Sequence, residues 1–535
     1  MAGKTNGYRE VERRLLERKL DRARFLRLIG AGVTLPFVPA SLAALGASRS
    51  EAQTIPPPPT PADLVAGGEF PIGAWWPPPP GETNQTRYQE IADANFNFVI
   101  GGNGVTNRAA IKDALVATQA VTTPSGKQLK FLLTDDPGPM DGPGLQDLIR
   151  GGTTGMKDAE SAPPGIMQYM NEQDDPASAP DGTASSLALS DLQQKIRERV
   201  RDLRVRYTED PEKEYPTLAG INLFDEPSRK MFERLKFAKT EARNQFADDR
   251  DLSYANVLPS YAARSRLGTR TYAEYLDLYL KGVRPPLLSF DHYPLLTQDR
   301  LTSDYFSNWA AIRSRALKYR IPSWIFIQSV DFGGDIVSPP RRRPNKAELF
   351  WQVNVSLAYG AKGIQYFTYW TPEDNKTLIH FGEALVGKDG TLTNTYNRAA
   401  EVNGYLKVIG RELLPLTSEI VMHTGVKKPR PGVQPFKANN YVRAVKVVSG
   451  SQVIVGKFRK TLEDPERYLL IVNRSPATPS TTQLTVSDSV GEVFKFNTST
   501  DPGRYDPVTL GGTSSRSFEV QLDPGRAALY RLRTA

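Results

Sequence analysis

The chain has no cysteine and only three histidines in 535 residues, His292, His380 and His423. The first absence excludes disulfides, thiolate nucleophiles and cysteine metal sites together. The second leaves a histidine-rich metal site without ligands and a Ser-His-Asp triad with three choices of base. No metal and no cofactor is expected. A Gly-rich phosphate loop is also missing, because Gly73 in the first apolar run leads at once into Ala-Trp-Trp, which argues against an open dinucleotide-binding sheet. No basic stripe is interleaved with aromatics. The net charge is +9, but residues 1–27 hold nine Lys and Arg against four Asp and Glu, so the chain from Gln53 onward carries only +4. Nucleic acid is therefore not an expected partner. The run Arg341-Arg342-Arg343 reads as a cluster that a Pro-rich loop leaves solvated.

What is present begins with a leader. Residues 1–52 have the order of an export signal: a basic segment, an apolar stretch over 28–47, and small residues at Ser50 and Ala52 that suit cleavage before Gln53. The run Arg22-Ala-Arg-Phe-Leu-Arg27 resembles a twin-arginine signal without the adjacent arginine pair. The expectation is an exported protein, periplasmic or extracellular. The Gly, Pro, Ser and Thr in the apolar stretch argue against a retained membrane span. A Pro-rich linker over 53–69 follows.

From residue 70 to 412 short apolar runs alternate with amphipathic segments, the βαβα pattern of a parallel sheet. The expected strands are 70–76, 96–101, 129–135, 218–225, 254–259, 287–293, 323–329 and 363–370. Helices are expected between them, among others at 189–206, 229–246, 272–281, 305–318 and 346–359. Eight such units over this length predict an α/β fold, a (β/α)8 TIM barrel. The connection 137–188, rich in Gly, Pro, Ala and Asp, reads as a long loop over the barrel mouth. From residue 413 to 535 the pattern changes to Val-rich alternating strands with turn signals, which predicts a small C-terminal β-sandwich.

In a TIM barrel the chemistry sits at the carboxyl ends of the strands. The fourth run, Leu-Ala-Gly-Ile-Asn-Leu-Phe-Asp-Glu-Pro, ends in Asp225 and Glu226. The other ends supply Trp75 and Trp76, Asp135, Asn256, the sequence Asp291-His292-Tyr293, Gln328, and Gln365 with Tyr369 and Trp370. Flat aromatic faces stack on sugar rings, while Asn, Gln, Asp and Tyr bond hydroxyls, so the set suits a carbohydrate. Glycosidic cleavage needs one carboxylic acid for the leaving oxygen and a second group at the anomeric carbon. Glu226 is the candidate acid, with Asp225 or Asp291 as its partner.

With Glu226 ending the fourth strand, residues 70–415 resemble the (β/α)8 glycoside hydrolases of clan A, loosely the family 42 β-galactosidases. The resemblance implies a glycosidase with Glu226 as acid/base. It departs in two places: Asp225 stands where that clan has Asn, and Gln328 stands at the seventh strand where the clan has its nucleophilic Glu. The Asp-Glu pair also resembles the N-acetylhexosaminidases of families 20 and 123. In those families the substrate acetamido group is the nucleophile and the Asp orients it, which would leave Tyr293 or Tyr369 to bond the amide oxygen. The expected function is thus a secreted glycoside hydrolase acting on an oligo- or polysaccharide, the alternative being a barrel that binds glycan without cleaving it.

Overall fold

The computed structural model describes residues 59–137, 142–151, 189–208, 215–246, 250–334, 337–374, 379–499, 501–511 and 516–534. The expected leader, and most of the long connection at 137–188, lie outside the described residues.

Eight parallel strands close into a barrel: β1 (Ile72–Trp75), β2 (Phe98–Ile100), β3 (Lys130–Leu133), β4 (Leu218–Asp225), β5 (Leu252–Val257), β6 (Leu288–Asp291), β7 (Ser323–Gln328) and, after a small hairpin of β8 (Phe332–Gly334) and β9 (Val337–Arg341), β10 (Gly363–Phe367). The two ends of the sheet meet where β1 pairs with β10, Ile72 opposite Ile364. These strands are buried on both faces, which is why they read as continuous apolar runs and not as alternation. Phe98 and Trp324 plug the inside of the barrel near its floor, their rings 5.4 Å apart. Glycines on neighbouring strands make room for them, since a Cβ on Gly73 would lie 2.4 Å from the Phe98 ring and one on Gly363 2.6 Å from the Trp324 ring.

Part of the stretch read as linker is helical. Pro61–Ala66 is a helix with a Thr60–Asp63 capping box and buried Ala62, Val65 and Ala66. The three arginines read as solvated are also placed otherwise. Arg341 is buried and donates to the Tyr293 carbonyl at 2.9 Å, Arg342 pairs with Glu348 at 2.5 Å, and Arg343 pairs with Asp331 and Glu383. The hairpin folds against the loop after β6, and its guanidinium groups serve that loop's carbonyls.

Beyond the short strand β11 (His380–Phe381) and the helix Asn394–Leu413, the chain forms two further sheets. The larger holds β12 (Thr417–His423), β13 (Gln434–Pro435), β15 (Val453–Arg459), β16 (Glu466–Asn473), β18 (Val490–Phe496), β19 (Tyr505–Pro507) and β21 (Ala527–Thr534). The smaller holds β14 (Val442–Gly450), β17 (Ser480–Val486) and β20 (Ser517–Leu522). Val453, Val455, Leu469 and Ile471 of the larger sheet share a core with Leu484, Phe518 and Val520 of the smaller. The alternate residues Ile454, Leu470 and Val472 belong instead to the core on the barrel side. There they meet the helix Lys346–Ala358, in which every residue from Glu348 on is buried. Trp351 and Asn354 of that helix donate to the carbonyls of Arg474 and Gly525, each at 2.9 Å. Among the described residues no helix is long and apolar enough to cross a membrane.

Candidate active site

Successive strand residues point to opposite sides, so Asp225 and Glu226 share one site only if the strand departs from regular pairing. It does so twice. Between Asn222 and Phe224 the register of β4 against β5 slips by one residue, and Leu223 and Phe224 both pack into the outer core between barrel and helices. This bulge shifts the phase of the strand and turns Asp225 inward. Glu226 then takes φ +53°, a left-handed conformation costly for a residue with a side chain, and it too stays inside, 5% exposed. The bend is held by the Glu226 N–H on the Asn256 carbonyl at 2.8 Å and by the Tyr275 hydroxyl on the Pro227 carbonyl at 2.7 Å.

Asp291, at the end of β6, is fully buried. One amide joins it to Asp225: Asn256 Nδ2 donates to Asp291 Oδ1 at 2.9 Å and to Asp225 Oδ1 at 3.1 Å. The orientation of that amide is fixed from behind. Tyr254 donates to Gln365 Oε1 at 2.5 Å, Gln365 Nε2 to Ser289 Oγ at 3.0 Å, and Ser289 Oγ to Asn256 Oδ1 at 2.8 Å. Each donor in this relay finds an acceptor, so the Asn256 amino group has only the two acids to face.

Glu226 differs from its neighbours. Neither carboxyl oxygen is reached by a hydrogen-bond donor, and both are buried. The Asp291 and Asp225 carboxyls lie within electrostatic reach of Glu226. Burial, then the charges of Asp291 and Asp225, push the Glu226 carboxyl well above the ordinary range, with Arg266 acting the other way. Burial and the Asp225 charge likewise raise Asp291. Asp225 is pushed up to about 7 by burial, with the Asn256 amide opposing. Its Oδ2 is buried without a partner.

The structure thus gathers Asp225, Glu226, Asn256 and Asp291, with Gln365 one layer beneath. Tyr293 lies within the electrostatic reach of all three acids and stacks on Phe367 at 4.6 Å. Trp75 is a buried plug against Phe326 and Phe367, its indole N–H on the Gly101 carbonyl at 3.2 Å. Trp76, half-buried at φ +63°, stands edge-on to it.

Five expected site residues are turned to other work. Asp135 holds Arg199 through two bonds of 2.7 Å and caps the Leu145 N–H, tying the loop after β3 to the helix Leu189–Thr208. His292 points into the helical layer. Asn308 donates to its Nδ1 at 3.1 Å, which puts its own proton on Nε2, facing Thr302 at 2.8 Å, and burial lowers its pKa to about 4. Gln328 uses its whole amide on backbone: it accepts from the Leu295 N–H and donates to the Leu295 and Arg342 carbonyls. Tyr369 packs edge-on to Phe96 outside the barrel, and Trp370 lies under the Arg87 guanidinium. β10 ends at Phe367, and the chain beyond it runs beside the end of β1, bonding the carbonyls of Trp75 and Trp76.

Tyr254 and Ser289 were not among the expected residues, yet each sits two positions before one that was, Asn256 and Asp291. The period of two along an inward face is the signal that finds them. Arg266 carries no such signal. Among the described residues no group of three or more His, Asp or Glu is arranged to hold a metal ion.

No protein-family model matches the chain, and no curated protein matches it by sequence. Solved structures similar to it include a glycoside hydrolase family 30 subfamily 8 xylanase from Clostridium acetobutylicum, at 11% identity over 87% of this chain and 96% of that one, TM-score 0.39. An endo-β-1,4-mannanase from Thermotoga petrophila is similar at 11% identity over 76% and 94%, TM-score 0.33. A family 51 α-L-arabinofuranosidase from Bifidobacterium longum is similar at 13% identity over 90% and 98%, TM-score 0.34. At such scores the likeness is loose and says nothing of which residues react.

Proposed function

We propose that the protein is a glycoside hydrolase in which Glu226 is the general acid and Asp291 its partner carboxylate. The observation that carries the reading is the Glu226 carboxyl itself: buried, bent into the barrel mouth, without a donor on either oxygen, and beside a second buried acid. A carboxyl with no donor to stabilise its anion keeps its proton, and a kept proton is what a leaving glycosidic oxygen needs. Asp291 lies within the electrostatic reach of Glu226 and is the group proposed for attack, water activation or charge stabilisation at the anomeric carbon.

A second reading rests on Asp225 Oδ2, which is buried and unpartnered on the inward face. It could accept the N–H of a substrate acetamido group, which would then serve as nucleophile. Aryl glycosides separate the readings when N-acetylhexosaminides are assayed beside unsubstituted sugars. Cleavage through Asp291 predicts turnover of unsubstituted sugars, with a retained anomer if Asp291 attacks and an inverted one if it activates water. Cleavage confined to N-acetylated substrates selects Asp225. Retardation on glycan gels with no aglycone released from any substrate would show a binding protein and overturn both.

A further inference from the structure

At the other end of the barrel a cavity of about 960 Å³ opens between the helix Tyr305–Tyr319, the start of β7 and the start of β12. It lies a strand length from the acids, about 17 Å for the rise of β7. Its wall carries four cations, Arg313, Arg320, Lys362 and Arg459, against one acid, Glu419. Glu419 is already shared by Arg459 at 3.6 Å, Lys457 at 3.3 Å and Arg467 at 3.2 Å. Among the described residues no carboxylate pairs with Arg313, Arg320 or Lys362. Arg313 donates to the hydroxyl and carbonyl of Ser418 at 2.8 and 3.2 Å, and the Lys362 ammonium to the carbonyls of Leu413 and Leu416, each at 2.5 Å. These acceptors are neutral and leave the charges uncompensated. Capping the end of the helix Asn394–Leu413 accounts for Lys362 alone. It does not account for Arg313 and Arg320, which line the same cavity. Burial without a counter-ion lowers the pKa of Arg313 and brings Lys362 down to about 7, which is the cost of holding cations in this way. The rest of the wall is largely apolar, with Leu317, Ile321 and Pro322 among it.

We propose that this cavity is a binding site for an anionic ligand, an oxyanion head group carried on an apolar or aromatic body. The guanidinium forks match the geometry of a phosphate, sulfate or carboxylate. The volume lies within the range of roughly 300 to 1,000 Å³ usual for small-molecule sites. Calorimetric titration of the whole chain with phenyl phosphate, phenyl sulfate, benzoate and the neutral benzyl alcohol tests it. Saturable one-to-one binding of at least one aryl oxyanion is expected, with none for benzyl alcohol, and the order among the three names the head group. Arg313→Gln and Arg320→Gln should each weaken that binding at least fivefold, while Glu226→Gln leaves it unchanged, which keeps this site apart from the sugar site. Arg320 is exposed at a helix end, so its variant folds even if that of Arg313 does not. Absence of saturable binding, full affinity in Arg320→Gln, or loss of binding in Glu226→Gln would overturn the proposal.

Discussion

Burial holds the three acids at the ends of β4 and β6 above the ordinary carboxylate range, Asp225 at about 7 with the Asn256 amide opposing. The Asp225 charge raises Asp291 further, and the charges of Asp291 and Asp225 raise Glu226. Glu226→Gln should therefore bind substrate as the parent does and lose about 10² to 10⁴ in turnover on poor leaving groups. Asp291→Ala should lose turnover on unsubstituted glycosides, with added azide restoring it by filling the vacated space. Steady-state rates on matched aryl and natural glycosides check both. The same shifts predict a stability profile. Between an unfolded value near 3.8 and a folded value of about 7, Asp225 holds in the native state a proton that the unfolded chain has lost. Its contribution to stability therefore falls as pH rises through that window and is flat above it. Asp225→Asn should melt at a higher temperature than the parent at pH 8 and at nearly the same temperature at pH 4. An unchanged melting difference at the two pH values would refute the assignment.

At the scale of elements, the barrel was legible because strands buried on both faces are written as apolar runs with the punctuation of their loops. All eight fall within or beside the expected segments. The five helices expected at 189–206, 229–246, 272–281, 305–318 and 346–359 likewise have their counterparts. In the C-terminal region the expected Val-rich alternation is carried by strands such as β14 and β15. β17, of sequence Ser-Thr-Thr-Gln-Leu-Thr-Val, carries its alternation largely on Ser and Thr and gives no such signal. For the candidate site, composition located the strand ends but not the direction of each side chain there. Nothing in Asn-Leu-Phe-Asp announces a bulge, so the inward turn of Asp225 had no sequence signal, and the outward turn of Tyr369 had none either, whereas that of His292 follows from alternation after an inward Asp291. The bulge gives a test of its own. Because Asn222 pairs with Tyr254 and Asp225 with Asn256 on either side of the slip, deleting Leu223 should restore regular alternation and leave Asp225 facing inward. Retained activity with an unchanged far-ultraviolet circular dichroism spectrum is the expected outcome, and an outward-facing Asp225 in the variant would refute the bulge.

For the whole molecule, the larger C-terminal sheet is covered on one face by the smaller sheet and on the other by the barrel. Removing residues from 417 onward would bare the helix Lys346–Ala358, whose side chains are buried nearly throughout. An isolated barrel is expected to be insoluble when expressed, even though the acids all belong to it, and recovery of a monodisperse barrel would contradict this packing.

That shared helix also fixes an order of events during synthesis. The barrel cannot close until β10 has left the ribosome to meet β1. The helix before β10 then waits for its cover until Leu529 of β21 has been made. The interval is roughly 170 residues, about ten to thirty seconds at about 5 to 20 residues per second. For that time the nascent chain displays the face of the helix that Trp351 and Asn354 later turn to the carbonyls of Arg474 and Gly525, without the sheet that covers it in the finished fold.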